Sequence, residues 1–296
     1  MASRDTASAE EACWRAVPRA IAKDPICRVL RHGWMGVWIL DVVDQLADAA
    51  STTLSANEEA AAARFRFAGD RALHRSAHLL KRWVHAAILG RKPAGLSYRY
   101  DAAGKPHLLG AGRLSFSLSH GGRFVAVAVS LHGSCGIDVE ALDAVASARL
   151  PWQDLLHDVE QQRFACPDAL SAEAASALWT LKEAASKVTG LGLSLPPREI
   201  ETPDVACGPV FPQSAHGLVV HRHGRRPMPA SLLPLSDDRG RPHRLAVASA
   251  VPVRGFLFRH VAAGPWRRAH GRCFFSTWGR ATEAPSASQP FHRGPS

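Results

Sequence analysis

The chain has 296 residues, 46% of them apolar and 21% charged, with a formal net charge of +10. That composition belongs to a globular protein with a proper core and excludes a disordered or fibrous chain. No run of about 18 apolar residues is present, so a membrane-spanning helix is not expected.

The amino terminus, MASRDTASAEEACWRAV, is acidic where a signal peptide is basic, and a cytoplasmic protein is expected. The six cysteines lie far apart without a C-x-x-C pair, so reduced thiols are expected rather than a zinc knuckle or redox site. The last 46 residues carry seven arginines against Glu283 alone. The basicity therefore lies largely in a tail, and nucleic acid is not an expected partner.

Residues 1–33 read as an extension. The first core strand is Val37–Val42, and a helix starts at Ser55 with Glu58 three residues on, the pattern of a capping box. Asp70–Leu89 is a long helical pattern. Leu96–Tyr100, a turn at Gly104-Lys105-Pro106, and the strands Leu114–Ser119 and Phe124–Ser130 follow. The first of those two strands alternates apolar and hydroxyl residues. The second alternates bulky and small ones, as a strand packed on both faces would. Cys135–Glu140 is a further strand and Ser171–Thr189 a second long helix. Ile200–Glu201, Gly217–His221 and Arg244–Val251 complete the strands. A helix on a small sheet thus occurs twice, which predicts an α+β fold. After about residue 262, Gly, Pro, Ser and Arg predict disorder, with Trp266, Phe274, Phe275 and Trp278 as a local aromatic patch.

Four elements could carry chemistry. Asp138 and Glu140 stand at i and i+2 of a strand, hence on one face, where two carboxylates repel unless they share a cation or face water. Oxygen ligands of that kind suit magnesium. Glu183 and Lys187 are one helical turn apart, either a surface ion pair or a carboxylate and a phosphate-binding cation. His120 follows Ser119 at a strand end beside two glycines, where backbone can approach a ligand. Arg75 on the first long helix and Lys105 in its turn are weak signals alone. Each has a plainer account as a solvated edge, a helix charge or a turn residue.

Together these residues resemble the 4′-phosphopantetheinyl transferase superfamily, specifically its Sfp-type enzymes. Gly136-Ile137-Asp138-Val139-Glu140 matches a G-I/V-D-x-E strand, and 41 positions separate Asp138 from Trp179. Trp179-Thr180-Leu181-Lys182-Glu183-Ala184-Ala185-Ser186-Lys187 then matches W/F-S/T/C-x-K-E-A/S-x-x-K. The Gly104-Lys105-Pro106 turn, the Ser119-His120 pair, His74-Arg75 and the Gly190–Leu195 loop stand where the family has counterparts. Cys135 replaces the usual branched aliphatic, a change expected to affect packing only. The resemblance covers residues 34–252.

The resemblance implies a pseudo-dimer of two similar halves with the active site in the cleft between them. The expected divisions are an extension over 1–33, halves over 34–134 and 135–256, and a disordered tail over 257–296. It implies transfer of the phosphopantetheine arm of coenzyme A to a serine of an apo acyl or peptidyl carrier protein, releasing 3′,5′-ADP. Asp138, Glu140 and Glu183 would hold Mg2+ against the pyrophosphate. Arg75 and His120 would grip the 3′-phosphate with Ser119 beside them, and Gly104, Lys105 and Pro106 would line the nucleotide site. Glu183 would take the serine proton and Lys187 would stabilise phosphate charge, with Glu160 as a further carboxylate near the site. A monomer is expected. The alternatives are a coenzyme A-binding protein without turnover and, on the His74/His78 pair, a zinc enzyme that lacks a third ligand.

Overall fold

The computed structural model describes residues 21, 24–42, 52–102, 104–164, 170–202, 215–220, 226–261 and 273–277. Strand β1 is Trp34–Asp41, followed by helices α1 (Ala56–Ala63) and α2 (Ala68–Leu89). Next come β2 (Tyr98–Tyr100), β3 (Pro106–Leu108), β4 (Ser115–Gly121), β5 (Phe124–Ser130) and β6 (Cys135–Ala141). The second half adds α3 (Leu142–Ser147), α4 (Asp158–Arg163) and α5 (Ala172–Thr189). It continues through β7 (Ile200–Glu201), β8 (Ala215–Val220), β9 (Arg226–Ser236) and β10 (Pro242–Ser249). The strands β11 (Gly255–Val261) and β12 (Cys273–Thr277) follow.

Two five-stranded sheets form, in the orders β12-β11-β1-β5-β4 and β6-β10-β9-β8-β7, with β2 and β3 as a separate ribbon. The α+β plan of two similar halves is therefore present. Side-chain parity sorts three cores. In β5, Val125, Val127 and Val129 face α2, where they meet Leu79, Leu80 and Val84. Phe124, Ala126 and Ala128 face the other way and pack with Ile137, Val139, Leu245 and Val247 of the second sheet. Ala246 and Ala248 of β10 instead meet Leu178, Leu181 and Ala185 of α5. A strand buried on both faces has bulky residues wherever space allows and alanine where two sheets approach. Among the described residues no helix is long and apolar enough to cross a membrane.

The halves are not two blocks of sequence, as the expected boundary at 256 would have them. Strand β11 returns to the first sheet and pairs parallel with β1, Trp34 opposite Gly255 and Leu40 opposite Val261. Phe256 and Phe258 fill the layer between the sheets and Leu257 the opposite core. The tail expected from residue 257 thus begins with a core strand, and residues 273–277 pair with it. The rest of that tail lies outside the described residues. The extension expected over 1–33 also contributes, since Ile21, Ile26 and Leu30 are buried in the first core and Asp24 pairs with Arg259 at 2.9 Å. Strand β9 was hidden in the sequence because Pro227, Pro229 and Pro234 interrupt its signal.

Under the first half lies a buried charge network. The capping box predicted at Ser55 and Glu58 forms, with Ser55 N donating to Glu58 Oε2 at 2.8 Å. The same carboxylate accepts from Lys81 Nζ and Arg82 Nε, each at 2.7 Å, and lies 3.1 Å from His78 Nδ1. Lys81 also stands 3.9 Å over the Tyr98 ring. Burial alone would raise the Glu58 carboxyl, but hydrogen bonds from His78 and Lys81 and the Lys81 charge hold it well below the usual carboxylate range. Burial pushes the Lys81 ammonium down to about 8 against the pull of Glu58, so at neutral pH the pair is charged.

Glu58→Ala leaves two buried cations without their counter-charge and should cost about 3–5 kcal/mol in urea unfolding. The contribution of Glu58 is complete above its unfolded pKa of about 4.3 and disappears as pH falls below it. Wild type should therefore lose stability on acidification below that point more steeply than Glu58→Gln; equal slopes would contradict the network.

Candidate active site

The site is built where β6 and α5 touch. Along β6, Cys135, Ile137 and Val139 point into the layer between the sheets. Parity sends Gly136, Asp138 and Glu140 to the opposite face, which α5 covers. A Cβ at Gly136 would collide with the carbonyl oxygen of Ala184, so glycine there lets helix and strand approach backbone to backbone. Ser171 Oγ caps the start of α5 by accepting from Ala174 N at 3.2 Å, and Gly190 ends it at φ 73°. The apolar face of α5 is buried, and Lys182 within it pairs with Glu160 at 2.7 Å. Glu183 and Lys187 are left facing Asp138.

The halves meet along β4 and β6, edge strands of the two sheets. The serines of β4 span this seam. Ser117 Oγ accepts from Ile137 N at 3.1 Å, and Ser119 Oγ donates to Asp138 Oδ1 at 2.9 Å. Ser115 Oγ lies 4.0 Å from Cys135 Sγ. The alternation read as a strand signal is thus also a row of hydroxyls across the interface. Cys135 is fully buried there, consistent with a packing role.

Lys187 Nζ donates to Asp138 Oδ1 at 2.7 Å and to Ser119 Oγ at 3.1 Å. Asp138 is 3% exposed, and its Oδ2 has no hydrogen-bond partner among the described residues. Burial, then the Asp138 charge, push Glu140 up to about 7, with Lys187 and a hydrogen bond from Trp179 opposing. Glu183 is raised by burial and by Asp138, with Lys187 opposing. Glu140 and Glu183, both raised in part by the Asp138 charge beside them, mark a site short of positive charge. Among the described residues no set of three or more His, Cys, Asp or Glu side chains stands in metal-ligand geometry. The donors still fit a hard divalent cation: all are oxygens, they suffer from mutual repulsion, and one buried carboxylate oxygen is unpartnered.

A cleft of about 380 Å3 opens beside these groups. From the first half it is lined by His78, Tyr100 and the Gly104-Lys105-Pro106 turn, and from the second by Glu183, Lys187 and Gly190. Gly104 has φ 81°, the left-handed region the turn requires. The Lys105 ammonium is held by main-chain oxygens beside the cleft. It donates to the main-chain oxygen of Lys187 at 2.6 Å and to that of Cys135 at 3.4 Å, tying the turn to the end of α5. Arg75 pairs with Glu59 through Nε at 2.9 Å and Nη2 at 2.8 Å. His120 is exposed at the end of β4, its ring 6.5 Å from that of His74. His78 Nδ1, one member of the supposed zinc pair, is engaged by Glu58 and Lys81.

The structure thus gathers Ser119, Asp138, Glu140, Glu183 and Lys187, and puts Gly104 to Pro106 on the facing wall. Arg75 is instead held by Glu59. Glu160 lies under α5, where Thr202 N and Oγ1 and Lys182 saturate it. Sequence reasoning missed Ser117, the Lys105 tie and the Trp179–Glu140 bond. Only the serine alternation carried any signal of them.

The family model of the 4′-phosphopantetheinyl transferase superfamily matches residues 134–225, and that of the N-terminal 4′-phosphopantetheinyl transferase region matches residues 43–132. The two matches divide between β5 and β6, where the chain passes from one sheet to the other. The 4′-phosphopantetheinyl transferase HetI of Nostoc is 30% identical over 172 residues, 57% of this chain and 70% of that protein. The L-aminoadipate-semialdehyde dehydrogenase-phosphopantetheinyl transferase of Eremothecium gossypii is 34% identical over 140 residues, 45% of this chain and 50% of that protein. The 4′-phosphopantetheinyl transferase of Bacillus subtilis is 31% identical over 120 residues, 40% of this chain and 52% of that protein.

Proposed function

The chain belongs to the 4′-phosphopantetheinyl transferase superfamily, and from that premise we propose that it transfers phosphopantetheine from coenzyme A to a serine of an apo acyl or peptidyl carrier protein, as an Sfp-type enzyme. The observation that carries the proposal is the cluster of Asp138, Glu140, Glu183 and Lys187 at one end of the cleft between the halves. The serine hydroxyl attacks the β-phosphorus of coenzyme A, the bond to 3′,5′-ADP breaks, and the nucleotide leaves. Glu183, raised by burial and by Asp138, is a stronger proton acceptor than an ordinary carboxylate and takes the serine proton. Lys187 offers its ammonium to the charge that develops on the phosphates.

Asp138, Glu140 and Glu183 would hold a magnesium ion, which supplies charge neutralisation at the pyrophosphate. Ser119 fixes the Asp138 carboxylate from the other half of the molecule. Gly104 and Pro106 offer the wall for the nucleotide, and Lys105 keeps that wall against α5. In this reading Arg75 and His120 would hold the 3′-phosphate, Arg75 after release from Glu59. A monomer in the cytoplasm is the setting it assumes.

Purified protein, coenzyme A, magnesium and an apo carrier protein should yield a carrier heavier by one phosphopantetheine group in mass spectrometry. Coenzyme A binding with no mass gain on several acyl and peptidyl carriers would make this a binding protein instead.

A further inference from the structure

The Lys187–Asp138 contact bears on how a divalent cation enters the site. Asp138 Oδ1 already receives two donors, Lys187 Nζ at 2.7 Å and Ser119 Oγ at 2.9 Å. Lys187 and Ser119 are themselves 3.1 Å apart, so the three atoms form a closed triangle. The ammonium thus stands at the one carboxylate that is almost fully buried, on the metal face of β6. A divalent cation bound to Asp138 would place two like-charged centres side by side with little water between them. Even with the cation on the unpartnered Oδ2, an ammonium on Oδ1 of the same carboxylate repels it, and the more loosely held of the two is driven off.

Asp138 cannot move, since it sits in a strand at 3% exposure and is pinned by Ser119. Lys187 can, because its side chain is 30% exposed and lines the cleft. With the bare ion, which also takes up the charge of Glu140 and Glu183, the displaced ammonium would exchange its carboxylate for water alone. If the cation arrives with a diphosphate, the phosphate oxygens give the ammonium a new anionic partner within the same cleft. Resting on the proposed metal and coenzyme A site, we infer that Lys187 is a resident counter-ion competing with the metal for Asp138. The site consequently admits a divalent cation as its diphosphate complex far better than the bare ion. Metal and coenzyme A then tighten each other's binding by the same factor, as linkage requires, and Lys187 adds to the coupling that the direct attraction between metal and diphosphate supplies.

The test measures Mn2+ binding to the full chain by electron paramagnetic resonance, with and without saturating coenzyme A, for wild type, Lys187→Met, Lys187→Arg and Asp138→Asn. Lys187→Met should bind Mn2+ alone at least tenfold more tightly than wild type, and coenzyme A should tighten Mn2+ binding by at least tenfold more in wild type than in Lys187→Met, where only the direct attraction between diphosphate and metal remains. Lys187→Arg retains the charge and should behave as wild type, which separates charge competition from a general loosening of the site. Lys187→Met binding Mn2+ alone no more tightly than wild type would overturn the inference while leaving the metal site standing. If Asp138→Asn holds Mn2+ with coenzyme A as tightly as wild type, the carboxylate site itself is wrong and the inference falls with it.

Discussion

Asp138→Asn should lower phosphopantetheine transfer by about a thousandfold or more while thermal unfolding stays close to wild type. The substitution keeps an oxygen at Oδ1 for Ser119 and Lys187, so the packing around β6 has no reason to change. It removes the charge from the only one of the three clustered carboxylates that is almost fully buried. Glu183→Gln should cause a comparable loss for a different reason, since the group facing the attacking serine can no longer accept a proton. Transfer within tenfold of wild type in either variant, measured by mass gain of the carrier, would refute the role given to that residue.

Gly136→Ala should be nearly as damaging although it adds a single methyl. The new Cβ would fall on the carbonyl oxygen of Ala184 and 2.8 Å from Val188 N. Both are helix backbone and cannot rotate aside, so α5 has to lift off β6. The expected cost is about 3 kcal/mol in urea unfolding, at the upper end for an overpacked site. Because Glu183 and Lys187 move with the helix, turnover should drop about a hundredfold, the effect of roughly a 1 Å misplacement. Gly69→Ala in α2, where a Cβ meets nothing within 4 Å, is the control and should be neutral or slightly stabilising. If both variants unfold at the wild-type urea concentration, close helix-strand approach is not what Gly136 provides.

What was legible in the chain was local. Ser55-x-x-Glu58 announced its helix because a capping box needs only residues three apart. The alternation in Phe124–Ser130 announced a strand buried on both faces because the side-chain period is intrinsic to extended backbone. The two motifs placed Asp138, Glu140, Glu183 and Lys187 because each lies within one element, where spacing alone determines which side chains share a face.

Tertiary structure decided everything that joins residues distant in the chain. Lys105 reads as an ordinary turn residue, yet its ammonium donates to the main-chain oxygen of Lys187, 82 positions away. Glu58 reads as a cap and is also the counter-charge of Lys81 and Arg82. The segment from Leu257 reads as the start of a tail, yet it lies in the strand that joins the first sheet beside β1. No local pattern encodes a partner 80 or 200 residues away. A buried charge or an unpaired strand edge acquires its partner only when the chain folds, and the cost of leaving it unsatisfied selects that partner. The sequence by itself therefore determined which groups share a face of each element; the packing of β4, β6 and α5 decided how they are brought together and held.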